Sequence, residues 1–176
     1  MKNPVAMVTV PARLPPWNWQ SGISMASLKI NRAWQTIRNY FDVTADHDWA
    51  NVYAAGGYYY PDGSLARLRT ELTGYREAGY AAFKIKVGGA SIAEDLGRIA
   101  EAISIAGGSE RLAVDANGRF GQDDAAAFAA EISALKLRWF EEPGDPLDFD
   151  LNRRLTEAYS GAIATGENLF SAADTR

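Results

Sequence analysis

The chain has 176 residues, a net charge of −4, 47% hydrophobic residues and 23% charged ones, and no cysteine. That is a globular composition, long enough for a sizeable core. It excludes disulfides, thiolate metal sites and thiol nucleophiles, and it offers no basic footprint for nucleic acid. No run approaches the roughly 18 apolar residues that a membrane span needs. Pro4, Pro11, Pro15 and Pro16 interrupt the start, so it does not read as a cleaved leader. The expectation is a soluble, unprocessed, cytoplasmic protein.

Residues 1–23 are rich in proline and tryptophan without periodicity and are expected to be irregular. Within 24–50, Leu28, Trp34 and Ile37 mark a helix over 24–41 that leads toward the first strand. From residue 51 short apolar runs alternate with helix-like stretches. A strand over 52–55 precedes a Gly-rich turn and a helix over 64–78, with Leu65, Leu68, Leu72 and Tyr75 at helical spacing. A second strand over 82–87 is followed by Gly88-Gly89, a capping box at Ser91 and Glu94, and a helix bearing Ile92, Leu96, Ile99 and Ile103. The third strand, 112–114, leads to an Ala-rich helix over 123–134. The fourth, 137–140, leads to a helix through Leu151, Leu155 and Tyr159. A fifth covers 162–164, after which Ser171 and Asp174 read as another helix start.

Strands alternating with helices at this spacing predict an α/β fold with a parallel sheet. A doubly wound sheet usually carries a Gly-rich phosphate loop after a strand, and none is present. A (β/α) barrel instead sets its chemistry at the carboxyl ends of successive strands, which is the pattern here. The prediction is a partial, TIM-like (β/α) barrel of about five parallel strands over 51–176, preceded by a helical segment. A full barrel takes about 250 residues, so this chain reads as an incomplete one.

Each strand from the second onward ends in polar residues. Lys84 and Lys86 share one face of the second strand, opposite Phe83, Ile85 and Val87. The plainer alternative is a solvated edge strand. The third strand ends at Asp115, the fourth at Glu141 and the fifth just before Glu167, with 26 residues between each pair. Singly, each acid could be a helix cap or a loop residue. Together, equal spacing in a βα repeat predicts three carboxylates at one height, a hard oxygen site suited to Mg²⁺. Such a metal acidifies the proton α to a bound carboxylate by stabilising the enediolate. Lys86 is placed to remove that proton, its pKa lowered by Lys84 and the metal. Lys84 stays charged and pairs with the substrate carboxylate. Asn117 and Asn168 come just after two of the ligands and are natural hydrogen-bonders.

The sequences Lys-x-Lys, Asp-Ala-Asn, Phe-Glu-Glu-Pro and Thr-Gly-Glu-Asn, in this order and spacing, resemble the enolase superfamily in its mandelate racemase branch. The resemblance covers 24–176. It implies that Asp115, Glu141 and Glu167 are the Mg²⁺ ligands and Lys86 the proton-abstracting base. The stretches 55–61, 139–148 and 164–171 are similar to the D-tartrate dehydratases. That implies dehydration of an acid sugar, with a histidine from a later strand protonating the departing hydroxyl and the enol tautomerising to oxaloacetate. Tyr58, Tyr59 and Tyr60 either line the substrate loop or pack. The sole histidine, His47, precedes the first strand and reads as a surface residue. The acid and most of the capping domain are therefore expected to be absent, and complete turnover with them. A racemase or epimerase, with a second base opposite Lys86, is one alternative. A non-catalytic half-barrel that forms a homo-oligomer through its open edges is another. The expected partner is a small-molecule carboxylate.

Overall fold

A computed structural model describes residues 52–61 and 65–171. The expected elements over 1–23 and 24–50, His47 and the helix start at Asp174 lie outside the described residues. Among the described residues, five strands and four α-helices alternate strictly: β1 Ala54–Gly56, α1 Leu65–Glu77, β2 Phe83–Lys86, α2 Ile92–Ala106, β3 Leu112–Asp115, α3 Gln122–Ile132, β4 Phe140–Glu141, α4 Phe149–Ala158 and β5 Ile163–Ala164. Short 3₁₀ turns, Ser109–Arg111 and Ser133–Leu135, precede β3 and β4. All neighbouring strands are parallel, in the order β1-β2-β3-β4-β5. A doubly wound sheet reverses its order at a switch point. This sheet does not, and it is a sector of a (β/α) barrel.

Side-chain alternation separates two faces. Phe83, Ile85 and Val87 of the second strand region, with Leu112, Val114 and Phe140, are at most 1% exposed and pack under the helices. Leu68 and Leu72 of α1, Ile99 and Ala102 of α2, Phe128 and Ile132 of α3, and Leu151 and Leu155 of α4 complete that layer. Its centre is aromatic, with Phe128 stacked on Phe120 at 5.0 Å and tilted against Phe140 at 5.4 Å. The opposite face carries Lys84, Lys86, Asp115 and Glu141. Register fixes their neighbours: Lys86 lies across from Asp115, and Asp115 across from Glu141.

The capping box before α2 forms as predicted, with Ser91 accepting from the Glu94 amide and the Glu94 side chain accepting from the Ser91 amide. Boundaries differ by a few residues. β3 runs one residue further than 112–114, so Asp115 itself is in the strand. α3 ends at Ile132 rather than 134, because the chain tightens into a 3₁₀ turn and Lys136 takes a left-handed φ of 53°. β4 begins three residues later than predicted, although Arg138 and Trp139 already hydrogen-bond to Leu112 and Val114.

One core group is badly served. The Tyr159 hydroxyl is buried with no hydrogen-bond partner among the described residues, although its ring meets Phe140 edge-on at 6.2 Å. Burial accordingly pushes its pKa up. A buried hydroxyl without a partner costs free energy that a phenyl ring does not. Tyr159→Phe is expected to raise stability by about 1 kcal/mol, read as a later urea midpoint with unchanged slope. An earlier midpoint would show that the hydroxyl has a partner.

Candidate active site

Four charged groups meet at the carboxyl ends of β2, β3 and β4. Lys84 Nζ lies 2.6 Å from Glu141 Oε1 and 3.0 Å from Asp115 Oδ2. Lys86 Nζ lies 2.7 Å from the same Asp115 oxygen and 2.5 Å from Asn117 Oδ1. Asp115 is fully buried, and its other oxygen accepts the Asn117 amide at 3.0 Å. Lys84 is 8% exposed. The lysines therefore face the interior of the barrel sector, and the solvated-edge alternative does not hold.

Burial alone would push the Lys84 ammonium down. Its hydrogen bonds to Glu141 and Asp115, and their charges, outweigh that and hold it above the usual lysine range. Burial likewise opposes ionisation of Asp115, but bonds from Lys86, Lys84 and the Asn117 amide win, and its pKa is lowered. Both shifts favour the charged forms.

Glu141 Oε2 accepts the Trp139 indole N–H at 2.8 Å. Beside it, Glu142 is 2% exposed and accepts from Asn168 Nδ2 at 2.8 Å. Burial first, and the charges of Glu167, Asp115 and Glu141 after it, raise the Glu142 pKa despite that bond. Glu142 also takes φ 41°, and Asn117 takes φ 46°. The left-handed region is costly for a glutamate and tolerable for an asparagine. Both lie next to or near a candidate ligand. Glu167 is exposed, beyond β5, and shares a cleft of about 370 Å³ with Glu141, Glu142, Trp139 and Tyr53.

A second network sets the height of the lysine strand. Arg98 of α2 donates to the Gly57 carbonyl and to the Lys86 carbonyl, the latter at 3.4 Å. Asp95 accepts the Tyr59 hydroxyl and, at 2.7 Å, the Gly88 amide. The β1 turn reaches this network because Gly57 sits at φ +62° with its α-carbon pressed on Ile85, where a Cβ would come within 2.8 Å. Of the three tyrosines, Tyr59 is thus fixed by α2, Tyr60 stacks under Arg67, and Tyr58 leaves its ring 5.8 Å from Lys86 Nζ.

The donor chemistry fits a hard divalent cation: three carboxylates from three successive strand ends, two of them in direct register and two lining one cleft. As the side chains stand, no group of three His, Cys, Asp or Glu among the described residues is drawn close enough to hold a metal. The two ammoniums neutralise Asp115 and Glu141 instead. Register delivers Asp115 and Glu141 to one spot, and Glu167 follows three residues after Ala164, the register partner of Glu141.

The Enolase C-terminal domain-like family model matches residues 67–176. The chain belongs to the enolase superfamily. Among the members it resembles, arabinonate dehydratase of Saccharolobus solfataricus is 32% identical over 120 residues, covering 68% of this chain and 32% of that enzyme. The 3,6-anhydro-alpha-L-galactonate cycloisomerase of Streptomyces coelicolor is 34% identical over 62% of this chain and 30% of its own length. A racemase from Streptomyces coelicolor, solved with bound magnesium, superposes with a TM-score of 0.64 at 32% identity, covering 71% of this chain and 37% of that one. The chain thus spans about a third of the length of these superfamily relatives. They comprise sugar-acid dehydratases, cycloisomerases and racemases, which share the superfamily and differ in reaction.

Three residues of the site were assigned no role from sequence. Glu142 could have been found as the acid next to Glu141 and before Pro143. Trp139 could have been found as the residue two before Glu141, on the same face. Tyr53 has no sequence signal beyond being aromatic. No helix among the described residues is long and apolar enough to cross a membrane.

Proposed function

We infer that the chain carries the proton-abstracting half of a Mg²⁺-dependent reaction on an acid sugar, in which a proton α to a carboxylate is removed. The observation that carries this reading is the cluster of buried Lys84 and Asp115 with half-buried Lys86 and Glu141 at the carboxyl ends of three consecutive strands. Asp115, Glu141 and Glu167 are the proposed metal ligands. When bound there, Mg²⁺ supplies the positive charge that stabilises the negative charge developing on the substrate carboxylate. Asp115 and Glu141, which pair with the lysines in this structure, would hold the metal when it is bound. Lys86, nearer the strand end, takes the α-proton, and Lys84 keeps its charge and binds the substrate carboxylate. Asn117 orients Lys86 through its side-chain oxygen, and Asn168 holds Glu142.

The finer reading is dehydration of a 2,3-dihydroxy acid of the tartrate type to a keto acid. It rests on the motif likeness over 139–148 and 164–171 and on the sugar-acid dehydratases among the relatives. Racemisation or epimerisation shares the first step and has its own support in the Streptomyces coelicolor racemase. The test is proton NMR in D₂O with Mg²⁺ and a panel of tartrate, arabinonate and galactarate isomers. We expect deuterium at the α-carbon of one isomer, abolished by EDTA. Exchange that survives EDTA, or none with any isomer, would sink the proposal. Inversion of the recovered substrate would move the assignment to a racemase.

A further inference from the structure

The geometry points to Trp139 as the positioning residue that holds Glu141 for a divalent cation, an inference that rests on the metal site proposed above. Trp139 and Glu141 are two apart along one extended segment, so both side chains leave the same face. The two oxygens of Glu141 have unlike partners. Oε1 accepts from Lys84 Nζ at 2.6 Å, and Oε2 accepts from the indole Nε1 at 2.8 Å. An ammonium on a four-carbon stem is mobile and charged, and a cation would displace it. An indole N–H is neutral, is a donor only, and cannot itself become a ligand. Oε2 is therefore the oxygen that stays fixed, and Oε1 the one that turns to the cation.

Trp139 has ring partners of its own. Tyr53 meets its ring edge-on, with centroids 5.3 Å apart and planes at 77°, and the Arg138 guanidinium lies 5.4 Å from its ring. Glutamate has three rotatable side-chain bonds, and a ligand left free must be ordered each time metal binds. A donor held on the strand orders Glu141 in advance. Packing alone would require the ring and not the N–H, which separates the two roles.

The test is calorimetric titration of the full 176-residue chain with Mg²⁺, in wild type and in Trp139→Phe, which keeps a ring against Tyr53 and removes the donor. Partners of this kind typically contribute about 10–100-fold in metal affinity. We expect a weakening of about that size in Trp139→Phe, an unchanged thermal midpoint, and partial recovery in Trp139→His, which restores an N–H. A second readout needs no metal: the Trp139 indole N–H resonance, assigned by its loss in Trp139→Phe, should move in Glu141→Gln. Unchanged Mg²⁺ affinity in Trp139→Phe overturns the inference. So does a loss of affinity matched by a lowered midpoint and not recovered by histidine, which would mean packing. Wild type that binds no Mg²⁺ overturns the metal site itself and this role with it, and is distinguishable from the first two outcomes by the wild-type titration alone.

Discussion

Asp115→Ala is expected to destabilise the chain by about 3–5 kcal/mol, the range for removing one partner of a buried ion pair. Asp115 is fully buried, and a single oxygen, Oδ2, faces both Lys84 at 3.0 Å and Lys86 at 2.7 Å. Without it, among the described residues, Lys84 keeps only Glu141 as a carboxylate partner, and Lys86 keeps the neutral Asn117 side chain. Two ammoniums two residues apart on one strand face then repel each other across a site closed to most water. Domains of this size have about 5–15 kcal/mol in all, so the variant should unfold well before wild type in urea. Asp115→Asn, which preserves shape and an acceptor, should lose less. Adding Lys84→Met to Asp115→Ala should recover part of the loss, because it removes one stranded charge. A loss under about 1 kcal/mol for Asp115→Ala, the scale of an exposed pair, would mean that the lysines escape to solvent and that the cluster is not a fixed feature of the metal-free protein.

Lys86→Met should lower the rate of α-proton exchange by about 10²–10⁴-fold, the usual contribution of a positioned general base. Methionine approximates the lysine stem without a basic nitrogen, so the loss reports the proton transfer rather than packing. Lys86 is not one of the proposed ligands but pairs with Asp115 at 2.7 Å, so Mg²⁺ should bind this variant at least as tightly as wild type, and lost exchange would not be lost metal. Lys84→Met should behave differently. With its charge assigned to the substrate carboxylate, its loss should weaken substrate binding more than the exchange rate at saturation. If Lys84→Met rather than Lys86→Met abolished exchange, the two roles would have to be swapped. Equal exchange in both variants and wild type would remove the lysine pair from the chemistry altogether.

Much of the architecture was legible in the sequence. The alternation of periods gave the element order from 52 onward, and strand alternation put Lys84 and Lys86 opposite Phe83, Ile85 and Val87, because side chains on a strand can only alternate. The 26-residue spacing placed Asp115 and Glu141 in register, since each βα unit returns the chain to the same height. The order of motifs was enough to name the superfamily, and the match over 67–176 bears that out.

Spacing could not place the third carboxylate. Glu167 comes after Gly166, at φ 129°, on a loop past the two-residue strand β5, so its carboxylate is not carried to Asp115 by the sheet ladder. A loop's path is set by its own torsions and contacts, not by the repeat that precedes it. Which oxygen meets which donor is equally beyond a period count. Lys84 bridges Asp115 and Glu141, Trp139 takes the remaining Glu141 oxygen, and Asn168 reaches Glu142 rather than a ligand, because hydrogen bonds depend on ångström-scale distances between strands. Residue order was sufficient to say which side chains face the interior of the barrel sector, and three-dimensional packing settled how their charges pair there.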